Sequence, residues 1–484
     1  MINKIFVNTS YYMVARILPM TIGIFMLPIL SRYLSPEDYG YIGLVLSFQL
    51  FLPVILGLRI DSSIFRFYVD FKTDHRKSYL SSIMLIVFLL ATSILIALLN
   101  YLPNIIGFFY PSITEDKYPL FILGLLTAYF NLFQGSLTNI LRAREKAKIF
   151  MFLQIFITII GILITLIEVI ILERGAYGLL ESSLITSCIA FIMYLFSNLR
   201  EFSSKINLKI LKRPIIFSIP LIPHSLFTLT FYYSDRLILE KYVTLTMIGL
   251  YFFSSKISDM VKLFVVEFNN SFLPHYNKTA VNNITLANNE LKKISLTFIY
   301  LVSFLVIFIG LFSFEIIYIL FDERYLESWK IIPLLSVGYI FVCLYNFSNI
   351  HIFFQKNTKM MPIITFLGAS VSILLNIILI QIYGIYGAAY TFIISHAFIL
   401  CITFFIVKRL YGVDLEQFKL SIIVIFSVIS IIISQYINSY YFKLDIYTIY
   451  LIKFMILSVS IFLGFHFKII KDLMFIRRFI LNER

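Results

Sequence analysis

The sequence is short of charge: Asp, Glu, Lys and Arg make up 14% of its 484 residues, where a soluble domain carries about 25%. Cysteine is nearly absent. Cys188, Cys343 and Cys401 are the whole set; each lies in an apolar run, so they read as small buried hydrophobes. No CxxC or Cys/His cluster offers a structural zinc site. No GxxxxGK[ST] supplies a phosphate loop, which excludes ATP hydrolysis by this chain, and there is no HExxH. No Ser, His and Asp spacing nominates a triad. The longest loops, about 20 residues, leave no room for a soluble catalytic domain. The N-terminal MINKIFVNTSYYMVARILPM lacks the small-residue cleavage site of a signal peptide and runs straight into an apolar segment.

Hydrocarbon is what the chain has in excess. Hydrophobic residues make up 60%, and the mean hydropathy is +0.92. They come in runs of about 20, the length a helix needs to cross about 30 Å of bilayer core. The runs are apolar on every face, unlike the alternating segments of about 10 residues that build barrels. The chain is therefore expected to be an all-α polytopic membrane protein of about fourteen spans: 9–30, 39–61, 79–99, 119–141, 149–171, 176–197, 214–235, 247–270, 295–320, 331–353, 360–381, 385–407, 418–436 and 447–467.

The net charge of +14 is spread over short loops, so nucleic acid is not the expected partner. Alternate sides of the membrane receive 27 and 8 Lys and Arg. The rich side includes the loops Arg142–Lys148 and 199–213 and the tail Lys468–Arg484; the poor side includes Arg32, Lys117, Arg236 and Lys443. This asymmetry places both termini in the cytoplasm. Removing one middle span would reverse every later loop, so an even number of spans is implied.

The halves carry a faint repeat. LSRYLSPEDYGYIG at 30–43 aligns with LEKYVTLTMIGLYF at 239–252, pairing Leu30 with Leu239, Tyr33 with Tyr242 and Gly40 with Gly249 at an offset of 209. GAYG at 175–178 aligns with GIYG at 384–387 at the same offset. Six spans per unit is an even number, so the repeat is parallel, about an axis along the membrane normal. The expected organisation is a six-helix lobe at 1–198, a cytoplasmic linker at 199–213 and a pseudo-symmetric six-helix lobe at 214–409. Two further helices and a basic cytoplasmic tail occupy 410–484.

Ionisable groups at bilayer depth cost several kcal/mol unless they face a cavity or a partner. They concentrate in the first two spans of each repeat. Arg16 is followed by Pro19 and Pro28; GLRIDSSIFRFYVD carries Arg59 and Asp61; SIPLIPHSLFTLTFYYSDR carries Pro220, Pro223, His224, Asp235 and Arg236; YFFSSKISDMVKLFVVEF carries Lys256, Asp259, Lys262 and Glu267. Prolines in the first and seventh spans should bend those helices. Arg16, Arg59 and Lys256 read as a cationic wall suited to phosphate, against the plainer readings of snorkelling and, for Lys256, a helix-surface pair with Asp259. His224 is a candidate for proton coupling. Asp61, Asp235, Arg236 and Asp259 are coupling or gating candidates; for Asp235 and Arg236 a helix-end structural role is the plainer one. Glu168, Glu181, Glu267 and Glu315 are weaker ion-coupling candidates. Tyr232, Tyr233, Asn269 and Asn270, near the repeat junction, are candidate sugar contacts.

LSRYLSPEDYGYIGLVLSF at 30–48 with the following GLRIDSSIFRFYVD resembles the start of polysaccharide-repeat flippases of the Wzx type, in the multidrug/oligosaccharidyl-lipid/polysaccharide exporter superfamily. The stretches 231–278 and YGIYGAAYTFIISHAF at 383–398 resemble later parts of the same core. The resemblance implies two six-helix lobes in a bacterial inner membrane that alternately open to each face. It also implies transfer of undecaprenyl-pyrophosphate-linked oligosaccharide to the outer leaflet without covalent catalysis. A cationic cavity would receive the headgroup, with no cofactor, coupling to H+ or Na+, membrane lipid around it, and a polysaccharide polymerase and glycosyltransferases as partners. The alternatives are a cation-coupled multidrug exporter, a flippase for the peptidoglycan lipid precursor, a membrane-embedded glycan polymerase or transferase, and a non-transporting scaffold.

Overall fold

A capping box starts the second helix. Ser35 Oγ accepts from the Asp38 N–H at 3.0 Å, and the Asp38 carboxylate accepts from the Ser35 N–H at 2.9 Å. Pro36 takes the first helical position, where its missing N–H would have had no partner. The same carboxylate accepts the Ala176 N–H at 3.1 Å, so Asp38 closes two helix starts. In the computed structural model the described residues are 2–71, 73–355, 360–411, 416–441, 445–467 and 469, and they are helical apart from turns. Lys72, Lys356, Lys359, Lys443, Lys468, Lys471, Arg477, Arg478 and Arg484, all counted in the charge asymmetry, lie outside them, as does most of the basic tail.

The first helices are α1 (Ile2–Tyr33), α2 (Pro36–Gly57), α3 (Ser62–Phe67), α4 (Thr73–Phe109), α5 (Tyr118–Ala143), α6 (Ala147–Leu166) and α7 (Gly175–Asn198). Leu56, Ile83, Leu125, Leu137 and Tyr194 are fully buried in their shared core. Lipid is as apolar as these side chains, so close packing rather than expulsion from water holds the bundle together. The 199–213 segment is tied to α4, where the Ser203 and Asn207 N–H groups donate to Ser81 Oγ and Ser82 Oγ at 2.8 Å. Then come α8 (Lys212–Ser218) and α9 (Leu221–Tyr242), bent by 42° across the break at Pro220. This is the bend expected of the seventh span. By contrast α1 continues as one helix through Pro19 and Pro28.

The remaining helices are α10 (Leu245–Asn282), α11 (Ile284–Leu320), α12 (Ile332–Phe354), α13 (Met360–Tyr383), α14 (Ile385–Tyr411), α15 (Gln417–Ser439) and α16 (Ile446–His466). Among the described residues, 12 helices are long and apolar enough to span a membrane, and the bent α8–α9 pair makes up to 13. The eighth expected span lies in α10, a 38-residue helix whose apolar surface is interrupted by Lys256, Asp259, Lys262 and Glu267. The fold is that of an all-α polytopic membrane protein. Cα packing divides the chain into two compact units, Met1–Phe252 and Phe253–Arg484. Of the cysteines, Cys343 is buried as expected, Cys188 is half-buried and Cys401 is exposed.

The repeat is visible in the helix boundaries. α1 and α9 both end on the paired tyrosines, Tyr33 and Tyr242, and α2 and α10 begin at the equivalent Pro36 and Leu245. Gly175 and Gly384 take left-handed φ values of +54° and +57° at the turns into α7 and α14, a conformation that a Cβ disfavours. Packing partners recur as well: α5 lies against α4 and α7, and α12 lies against α11 and α14. Within the first unit, the N-terminal turns of α2 and α10 cross at the repeat-equivalent glycines. A Cβ on Gly249 would fall 1.6 Å from the Pro36 carbonyl oxygen, and one on Gly40 would fall 2.3 Å from that of Leu245.

Candidate functional site

The second expected span runs to 61, but α2 stops at Gly57, and Arg59 and Asp61 lie in the turn before α3. Leu58 and Arg59 adopt φ values of +43° and +57° in succession. Neither is the glycine or asparagine that such a turn usually takes, so each costs about 1–3 kcal/mol of strain. The turn is closed by the Ile60 N–H donating to Gly57 O at 2.9 Å and the Ser62 N–H to Arg59 O at 3.1 Å. Its effect is to set Arg59 at the helix end, with a buried Nε that has no hydrogen-bond partner among the described residues. Such a donor is costly to leave unmade and is ready for an acceptor.

Arg59 gathers two other candidates within the first unit. Burial pushes the Asp61 carboxyl above the usual carboxylate range, and the Arg59 charge partly opposes this. The same charge reaches His224, one turn into α9 beyond the Pro220 bend. Because the folded-state Asp61 pKa is raised, its stabilising contribution is present in acid and lost as the pH rises through that pKa. Asp61→Asn is therefore expected to raise the melting temperature at pH 7, with the gain shrinking as the pH falls toward the ordinary carboxylate range. Thermal unfolding of the purified protein across this range would check it; a gain independent of pH would contradict the assignment.

Arg16 lies exposed on α1, and its charge is felt by Arg142 near the end of α5, over the Phe150 ring at 5.1 Å. The sequence reading placed Arg142 only in a basic loop. Asp235 and Arg236 form a buried pair at 3.1 Å, with the guanidinium 5.3 Å from the Tyr233 ring centroid and the Tyr251 hydroxyl donating to Asp235. One face of Tyr233 is thus occupied by Arg236, whereas Tyr232 stacks edge-on against Phe231 at 5.1 Å. Glu240, not singled out from sequence, is buried and accepts from the Ser112 N–H and hydroxyl at 2.8 and 2.6 Å.

In the second unit, Asp259 accepts from the Tyr339 hydroxyl at 2.6 Å and pairs with Lys262 at 3.6 Å. The Lys262 charge reaches the buried His396. Lys256 is half-buried on the same helix; Asn269 has a buried Oδ1 without a hydrogen bond among the described residues, and Asn270 is exposed. Tyr232 and Tyr233 belong to the first unit, and Asn269, Asn270, Asp259 and Lys256 to the second. Of the weaker candidates, Glu168 and Glu181 both pair with Arg174, at 3.1 and 2.6 Å. Glu315 pairs with Lys453, which is fully buried. Among the described residues no group of three His, Cys, Asp or Glu is placed to hold a metal ion.

The fold is shared with solved transporters and flippases. It superposes on a lipid II flippase MurJ in an inward closed conformation with a TM-score of 0.72 and 18% identity, over 96% of this chain and 99% of that one. An inward-facing multidrug resistance MATE family transporter of the MOP superfamily gives 0.64 at 15% identity, over 86% and 95%. The Vibrio cholerae MATE transporter VcmN in its bent form gives 0.57 at 11%, over 84% and 96%. Among curated proteins none matches significantly in sequence. These likenesses show that the chain has the same polytopic helical fold as those proteins. More narrowly, the chain belongs to the polysaccharide biosynthesis protein family, whose model matches residues 5–280.

Proposed function

We propose that the protein flips undecaprenyl-pyrophosphate-linked oligosaccharide repeat units from the cytoplasmic to the outer leaflet of a bacterial inner membrane. The observation that carries this reading is the Arg59 turn: a strained backbone holds a guanidinium whose buried Nε lacks an acceptor among the described residues, at the end of an apolar helix. Arginine can grip phosphate oxygens bidentately, and low polarity around it strengthens that grip. Family membership supplies the polysaccharide context.

In this reading the two repeats, 1–198 and 214–409, move as alternating-access lobes joined by the cytoplasmic 199–213 linker. Arg16 and Lys256 join Arg59 in drawing in the pyrophosphate, and Tyr232, Tyr233, Asn269 and Asn270 meet sugars. His224 and Asp61, within reach of the Arg59 charge, couple the cycle to H+ or Na+, while Asp235, Arg236 and Asp259 gate it. Both termini face the cytoplasm, and polymerase and glycosyltransferases act beside it. The missing catalytic constellation fits, because no covalent bond changes.

Deletion of the gene should leave lipid-linked intermediates on the inner leaflet, and expression of the wild-type chain should restore surface glycan. Arg59→Gln, expressed to the same level, is expected to cut that restoration at least about tenfold, the loss of one charge-assisted phosphate contact. Unchanged surface glycan in the deletion strain together with altered dye efflux would replace this reading with cation-coupled drug export.

A further inference from the structure

A partly open cavity of about 430 Å³ lies in the first unit, among α1, α5, α6 and α7, and Arg59 does not line it. Its volume falls in the range of about 300–1,000 Å³ typical of ligand pockets. Nine of its 17 lining residues are neutral amides or hydroxyls; none is charged and none is aromatic. That composition discriminates among ligands. A cation would call for carboxylates, a phosphate for Arg or Lys, and a flat drug for aromatic faces.

Some of these polar groups are already satisfied. Thr158 and Thr165 donate back to Gln154 O and Gly161 O at 2.8 Å, and Gln154 Oε1 accepts from the Tyr194 hydroxyl at 3.1 Å. Others are not: among the described residues, the half-buried side chains of Asn131, Gln134, Ser183 and Thr186 make no hydrogen bond within the protein, although they line the cavity. Unpaired amides inside a membrane bundle are costly. An amide presents donors and acceptors side by side, and a sugar hydroxyl both donates and accepts. The apolar remainder of the wall, including Met26 and Ile157, suits the C–H face of a pyranose.

We propose that this cavity is a subsite for an uncharged, hydroxyl-rich sugar residue of the transported lipid; the assignment rests on the flippase reading given above. Pyrophosphate and sugar are then recognised in different places, the first by guanidinium and the second by neutral amides.

The test is equilibrium binding to the purified full chain in nanodiscs, using undecaprenyl pyrophosphate and undecaprenyl pyrophosphate bearing a neutral N-acetylhexosamine-containing disaccharide. The wild type should prefer the glycosylated probe. Asn131→Leu combined with Gln134→Leu should reduce that preference about tenfold or more, the loss of one or two buried hydrogen bonds. Gly23→Met guards against misfolding as the explanation. Gly23 lines the cavity, nothing lies within 4 Å of a Cβ added there, and the longer side chain fills the space without removing a polar group. It should lower the preference similarly. If either the wild type shows no preference or both variants keep it, the subsite is refuted while pyrophosphate recognition stands. If the wild type binds neither probe, the flippase reading falls and the subsite falls with it.

Discussion

Lys453→Leu is expected to destabilise the protein by about 3–5 kcal/mol, because it strands a carboxylate in a low-polarity interior. Lys453 on α16 donates to Glu315 Oε1 on α11 at 2.5 Å, with its own side chain wholly buried and that of Glu315 9% exposed. The ammonium also lies 5.4 Å from the Phe312 ring centroid and 5.6 Å from that of Tyr441. Among the described residues Glu315 Oε2 has no partner, so none of them is placed to replace the lysine. Removing both charges should recover most of the loss, since an apolar pair of similar volume avoids desolvation altogether. Thermal unfolding of Lys453→Leu and of the Lys453→Leu, Glu315→Leu double variant in the same detergent would decide it. Equal melting temperatures for the single variant and the wild type would show that the pair carries no such weight.

Gly249→Val should be the most damaging single change in the first unit. The added Cβ would sit 1.6 Å from Pro36 O and close to the Gly40 backbone, so there is no flexible side chain to give way. Overpacking commonly costs about 1–3 kcal/mol, and more when only backbone can move. The α2–α10 crossing then cannot close as drawn, and surface-glycan complementation should be lost. Gly107→Ala is the matched control, as nothing lies within 4 Å of its added Cβ. Wild-type complementation by Gly249→Val would mean that this crossing is not a working conformation.

The membrane fold could be read in the sequence because span length and hydropathy act locally. The repeat could be read because Tyr33, Tyr242, Gly175 and Gly384 mark helix ends that the structure retains. The end of α2 could not: Leu58 and Arg59 carry no left-handed turn signal, and the apolar run suggested that the helix continued. Asp235 and Arg236 were visible as charges, but their closure by Tyr233 and Tyr251 depends on tertiary packing. The neutral cavity is legible only in part: Asn131 and Gln134 make the fourth span, 119–141, polar enough to line a cavity, whereas Ser183 lies on a span that looks ordinary. The Lys453–Glu315 pair leaves no local sign, because its partners are 138 residues apart in the chain.

That separation bears on biogenesis. The ribosome completes α11 long before α16, so the carboxylate enters the bilayer without its counterion and waits through the synthesis of four intervening helices. A nascent chain cut short after α14 would carry Glu315 without the lysine that pairs with it in the folded protein. Glu315 is therefore answered only when α16 packs against α11, which couples the order of synthesis to the closing of this buried pair.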